Sequence, residues 1–121
     1  MFFLRILLES GNLWLQGAAQ AVKGYAPIFG GYPDLPPAQA TKLVAYANMV
    51  RTTIEQICMD MMQLCERSVG TRGLLPPHPI ERIIRDLTLY LRQPVFDLAL
   101  TTVGQYALSE TTPASSLWLY E

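Results

Sequence analysis

The chain is 121 residues long and nearly neutral, with Lys+Arg 9 against Asp+Glu 10; half of it is apolar and only 16% is charged. One domain is expected at that length, which excludes most multi-domain enzymes, and the charge balance excludes the basic surface of a nucleic-acid binder. Ordinary soluble domains are about a quarter charged, so the surplus of apolar residues implies a face hidden against something else.

The opening Met1-Phe2-Phe3-Leu4-Arg5-Ile6-Leu7-Leu8 is interrupted by Arg5 and stopped by Glu9, with no small-residue cleavage site after it. It reads as neither signal peptide nor anchor. No window reaches the roughly 20 apolar residues a bilayer span requires, so no membrane role is expected beyond a minor reading of Met1 to Trp14 as a surface helix. A first helix is predicted from about Phe3 to Tyr25, with Leu4, Leu7, Leu8, Trp14, Leu15, Ala18, Val22 and Tyr25 at helical intervals. Gly11 and Gly17 weaken it, each by about 1 kcal/mol relative to Ala. Gly24 to Pro37 holds four prolines, Pro27, Pro33, Pro36 and Pro37, with Gly30 and Gly31, and reads as a loop.

The clearest pattern follows. Leu43, Ala47, Val50, Ile54, Ile57, Met61 and Leu64 alternate steps of four and three, which predicts a long helix from Ala38 to Arg67. Met49, Cys58, Met59 and Met62 widen its apolar surface, so it should pack on more than one neighbour. The methionines read as adaptable core filler rather than a cofactor box. Cys58 and Cys65 lie too far apart on such a helix for a disulfide, roughly 10 Å against a limit of about 7 Å. Reduced thiols and a cytoplasmic location are expected.

Val69 to Pro79 carries two glycines and several prolines and breaks the helix. A third helix should open at Pro79, since proline suits the first turn, with Ile80, Ile83, Ile84, Leu87 and Leu91 as its buried stripe, and should end at Pro94. A fourth, from Phe96 to about Leu108, should bury Leu100, Val103 and Ala107. Ser109 to Glu121 reads as a tail whose Leu117-Trp118-Leu119-Tyr120 end can dock. The fold class is all-α, an antiparallel helical bundle over residues 1 to 108.

Opposite the third helix's apolar stripe, His78, Arg82, Arg85 and Arg92 share one face. They could cradle an anion, with Arg67 and Arg72 joining from the turn. Spacing alone favours a plainer reading, in which Glu81–Arg85 and Arg82–Asp86 pair at the i,i+4 distance. Gly70-Thr71-Arg72-Gly73 fits neither a dinucleotide fingerprint nor a P-loop, and by itself reads as a helix cap with a tight turn. His78 has no companions for a zinc site and no orienting partner as a base; a hydrogen-bonded structural imidazole is expected. No metal site and no catalytic residue can be named.

Cys65-Glu66-Arg67-Ser68-Val69-Gly70-Thr71-Arg72-Gly73-Leu74, followed by His78-Pro79-Ile80-Glu81-Arg82-Ile83-Ile84-Arg85-Asp86-Leu87-Thr88, resembles the C-terminal helical domain of the acyl-CoA dehydrogenase family. There a long helix ends in a glycine turn and the next opens with Glu-Arg-x-x-Arg-Asp; the resemblance runs from about Leu7 to Leu108. It implies an FAD-dependent oxidoreductase acting on acyl-CoA-type substrates, built from an N-terminal helical domain, a β-domain and this bundle, with bundles packed in a tetramer. By that resemblance Arg67, Gly70, Thr71, Arg72 and Gly73 would meet the flavin's pyrophosphate, and Arg82, Arg85 and Asp86 would be structural. The chain departs from the family at Leu91-Arg92-Gln93-Pro94, where many members carry a Glu-Gly-Thr whose glutamate is the catalytic base. Neither Arg92 nor Gln93 titrates usefully. The resemblance also omits the other two domains, so FAD is not expected to bind this chain alone. The expected partners are further copies of the chain or a chain carrying those domains. A non-catalytic helical self-association module is the alternative.

Overall fold

The computed structural model describes residues 1–23, 36–93 and 96–113. The expected loop, apart from its last two prolines, Pro94 at the end of the third helix and the Leu117-to-Tyr120 cluster lie outside them. Four helices are present, α1 (Phe2–Lys23), α2 (Pro37–Val69), α3 (Pro79–Arg92) and α4 (Phe96–Ser109), with a 3-10 turn (Thr71–Leu74) after α2. No strand occurs among the described residues, as the all-α expectation requires.

The helix ends follow from local chemistry. Pro36 and Pro37 open α2, where a missing amide hydrogen costs nothing, and the Ala40 amide closes the first turn on the Pro36 carbonyl at 3.0 Å. Gly70 closes the helix: its φ of 68° is a region that L side chains avoid, and its N–H donates to the Glu66 carbonyl at 2.9 Å. Arg67 in the last turn meets the negative end of the helix dipole. His78 caps α3, its Nδ1 accepting the Ile80 amide at 3.2 Å. The imidazole is structural, as expected.

α2, about 50 Å long at about 1.5 Å per residue, is the spine. α1 runs antiparallel along it, Gly11 facing Ile54 and Ile57 and Gly17 facing Tyr46. The C-terminal half of α4 lies beside the N-terminal half of α2, where Ala45 and Tyr106 are buried together. α1 and α4 pack on different sides of α2, so the helix has two neighbours, while the main contact of α3 is with the 3-10 turn.

Three expected packing faces are corrected. On α1, Leu8, Leu15 and Val22 are exposed and the buried residue is Gly11; the α1–α2 approach runs over the small residue rather than the large ones. On α4 the inward face is Ala99, Thr102, Val103 and Tyr106, while Leu100 and Ala107 face outward. The stripe is rotated because Tyr106 offers the larger apolar body to Ala45. On α2 the expected face holds in part: the seam does face α1, with Val50 buried and Ile54 and Ile57 against Gly11, but Ala47 is exposed and the wholly buried residue, Ala45, lies on the opposite side of the helix. The α3 stripe is only partly covered: Leu91 is buried and Ile83 is 60% exposed.

Among the described residues the core is thin. Only Ala45, Val50, Leu91, Ala99 and Tyr106 are buried apolar residues, and no large side chain is fully enclosed. Phe2, Phe3, Leu13, Leu89, Tyr90 and Leu98 are all exposed.

Candidate functional site

The Gly70–Gly73 bend and the two arginines beside it are where sequence expectation and structure meet. Gly70 turns the chain at positive φ, and a Cβ on it would stand in open space. Gly70, Thr71, Arg72 and Arg67 are exposed. Gly73 is different: it is buried, its N–H donates to the Gly70 carbonyl at 3.0 Å, and a Cβ there would collide with the Val69 side chain. Its role is to let the turn fold back on the last residue of α2. The bend is therefore both a cap and a tight turn.

Neither the Thr71 nor the Arg72 amide donates to a backbone acceptor among the described residues. The guanidinium groups of Arg67 and Arg72 make no ion pair there either. Two of the three arginines of α3 contrast with them. Arg85 reaches Glu81 at 3.2 Å and Asp86 at 3.8 Å, and Arg82 reaches Asp86 at 3.5 Å. The plain i,i+4 reading holds for Glu81–Arg85 and Arg82–Asp86. Among the described residues Arg67 and Arg72 are unpaired cations beside two open amides, a combination that the likewise unpaired Arg5 and Arg92 do not share. Two neighbouring N–H groups and two forked cations suit an anion such as phosphate. The C-terminal dipole of α2 opposes an anion there, so the arginines must supply the attraction.

Concavities elsewhere among the described residues were not anticipated from sequence. A cleft of about 500 Å³ lies between α2 and α4, bordered by Val44, Ala45, Gln105 and Tyr106. Its hydroxyls are already committed: Thr41 donates to the Pro37 carbonyl, Thr102 to Leu98 and Ser109 to Tyr106. Burial pushes the Tyr106 phenol upward, helped by the Glu110 charge. The cleft gathers no set of free polar groups that could fix a ligand's orientation. A shallow groove of about 360 Å³ runs along the outside of α1, lined by Phe2, Arg5, Ile6, Glu9, Ser10 and Leu13.

Cys58 and Cys65 are free and half-buried. Burial pushes the Cys58 thiol up, with the nearby Glu55 carboxylate adding to the effect, so Cys58 is a poor nucleophile at neutral pH. Among the described residues there is no group of three metal-ligating side chains and no helix long and apolar enough to cross a membrane. Arg92 and Gln93, at the end of α3, are exposed. No protein-family model, curated protein or solved structure matches the chain.

Proposed function

We propose that the chain acts as the C-terminal helical domain of an acyl-CoA dehydrogenase-like, FAD-dependent oxidoreductase, presenting the Gly70–Arg72 bend and Arg67 to the flavin's pyrophosphate. The supporting observation is the grouping just described: among the described residues, two neighbouring amides and two guanidinium groups at the bend are uncommitted, whereas Arg82 and Arg85 on α3 are paired and the unpaired Arg92 stands at the far end of that helix. In this reading Gly73 shapes the bend and contributes no contact. The chain supplies no catalytic base. Acyl-CoA-type substrate and flavin are enclosed by domains outside these 121 residues, against which the exposed faces of α1, α3 and α4 pack.

When bound, FAD supplies the hydride-accepting chemistry; this chain's residues hold its phosphates and close one wall. The test is complementation. A flavoenzyme of this class deprived of its own C-terminal helical domain should regain bound, yellow flavin on mixing with the chain, and Arg72→Glu should abolish the gain. The chain alone should give negligible heat on titration with FAD. Tight FAD binding by the chain alone, or recovery unaffected by Arg72→Glu, would contradict the proposal.

A second reading, a non-catalytic helical self-association module, is favoured by a different observation, the thin core beneath many exposed large apolar side chains.

A further inference from the structure

The groove on the outside of α1 is self-complementary. Phe2, Ile6 and Leu13 form an exposed apolar stripe, and Arg5 and Glu9 stand among them, both exposed. Although spaced i,i+4, Arg5 and Glu9 form no ion pair with each other or with any other described residue. The order along the helix is apolar, positive, apolar, negative, apolar. Such an order matches its own reverse with the charges exchanged.

We propose that the occupant of this groove is α1 of a second copy of the chain, packed antiparallel about a two-fold axis at the level of Leu7. This gives the self-association reading a face, and rests on it. The geometry follows from a rise of about 1.5 Å per residue. Arg5 and Glu9 lie about 3 Å to either side of the axis, so each Arg5 meets the other copy's Glu9, giving two symmetric ion pairs. Ile6 is about 1.5 Å from the axis and meets its own counterpart. Phe2 lies about 7.5 Å to one side and Leu13 about 9 Å to the other, so each Phe2 reaches the other copy's Leu13 with an offset of about 1.5 Å. A parallel pair would instead set Arg5 against Arg5 and Glu9 against Glu9. Charge therefore selects the antiparallel arrangement.

One helix face buries less than the roughly 800 Å² per partner of a standard interface, so the dimer should dissociate in the micromolar range or above. Sedimentation velocity over a concentration series up to several hundred micromolar reads it. The wild type should dimerise. Arg5→Glu, which sets acid against acid twice, should weaken the dimer by about tenfold or more, and Arg5→Glu with Glu9→Arg should restore it. All three should show the same helical circular dichroism, because both positions are exposed. A dimer unchanged by Arg5→Glu removes α1 as the seam while leaving self-association standing. A wild type that stays monomeric throughout removes both.

Discussion

The α1–α2–α4 trio and the bend with α3 are built on opposite terms. In the trio, α2 is covered on two sides, and four of the five buried apolar residues, Ala45, Val50, Ala99 and Tyr106, lie there. α3 has the sharper division between apolar and charged faces, yet it contributes only Leu91 to the buried set and rests mainly on the 3-10 turn. A well-formed amphipathic stripe therefore specifies a helix without specifying what covers it. The trio is held by packing of helix on helix, the arm by its turn and cap, so different residues should be limiting in each.

The largest effect should come from the turn. Gly73→Ala places a Cβ 2.8 Å from the Val69 Cβ and still closer to its Cγ1, so it should cost about 1–3 kcal/mol by overpacking. Urea unfolding measures it. Val69→Ala in the same chain should recover part of the loss, because it removes the nearer colliding atom, Cγ1, and leaves the 2.8 Å approach of Cβ. Hydrogen exchange sharpens the contrast: α3 amides should lose protection in Gly73→Ala while those of α1 and α2 keep theirs. Uniform loss across all four helices would show that arm and trio open as one unit.

Next is the cap. His78→Ala leaves the Ile80 amide without its Nδ1 acceptor and should cost about 1 kcal/mol, whereas His78→Asn should cost little because Asn is a good N-cap. The trio offers the converse. A Cβ on Gly11 would lie 3.8 Å from the Ile57 Cγ2 and 3.9 Å from the Ile54 Cδ1, ordinary contact distances. Gly11→Ala should therefore stabilise the chain by about 0.5–1 kcal/mol through helix propensity. A loss of stability would show that α1 and α2 approach more closely there than those distances state.

How much of this could be read in advance differs between the same two regions. The four helices were legible to within two residues at the described ends, because prolines and Gly70 punctuate the chain and punctuation acts locally. The i,i+4 pairs of α3 and the structural role of His78 were legible for the same reason. Which face turns inward was not. Gly11, Ala45 and Ala99 are buried because a neighbouring helix comes close, and small residues carry no hydrophobic signal of their own. At the bend the residue types were visible, but that Gly73 faces Val69 while Thr71 and Arg72 keep their amides free depends on how the 3-10 turn folds back.

Smaller again is the exposed charge on α3. Arg82→Ala removes an ion pair whose partners are both largely exposed and should change stability by less than about 0.5 kcal/mol. A larger loss would mean that Arg82 bears on the arm by packing its stem against it.

The smallest effect at neutral pH belongs to Cys58, in the trio. Its folded thiol is pushed above the ordinary value of 9.0, first by burial and then by the Glu55 carboxylate. The folded chain thus holds this proton more tightly than the unfolded chain does. That contribution is fully present below pH 9.0 and is lost as pH rises through the higher folded value. Tyr106, raised above its ordinary 10.0 by burial and Glu110, adds to the same alkaline decline. Stability should be flat around neutrality and fall as pH climbs towards about 10, the ordinary tyrosine range. Cys58→Ala should flatten the first part of that fall and leave the second. Glu55→Gln should flatten it only in part, because burial, the larger cause, remains. A profile as steep in Cys58→Ala as in the wild type would place the alkaline loss on Tyr106, moving its origin from the middle of α2 to the α2–α4 contact.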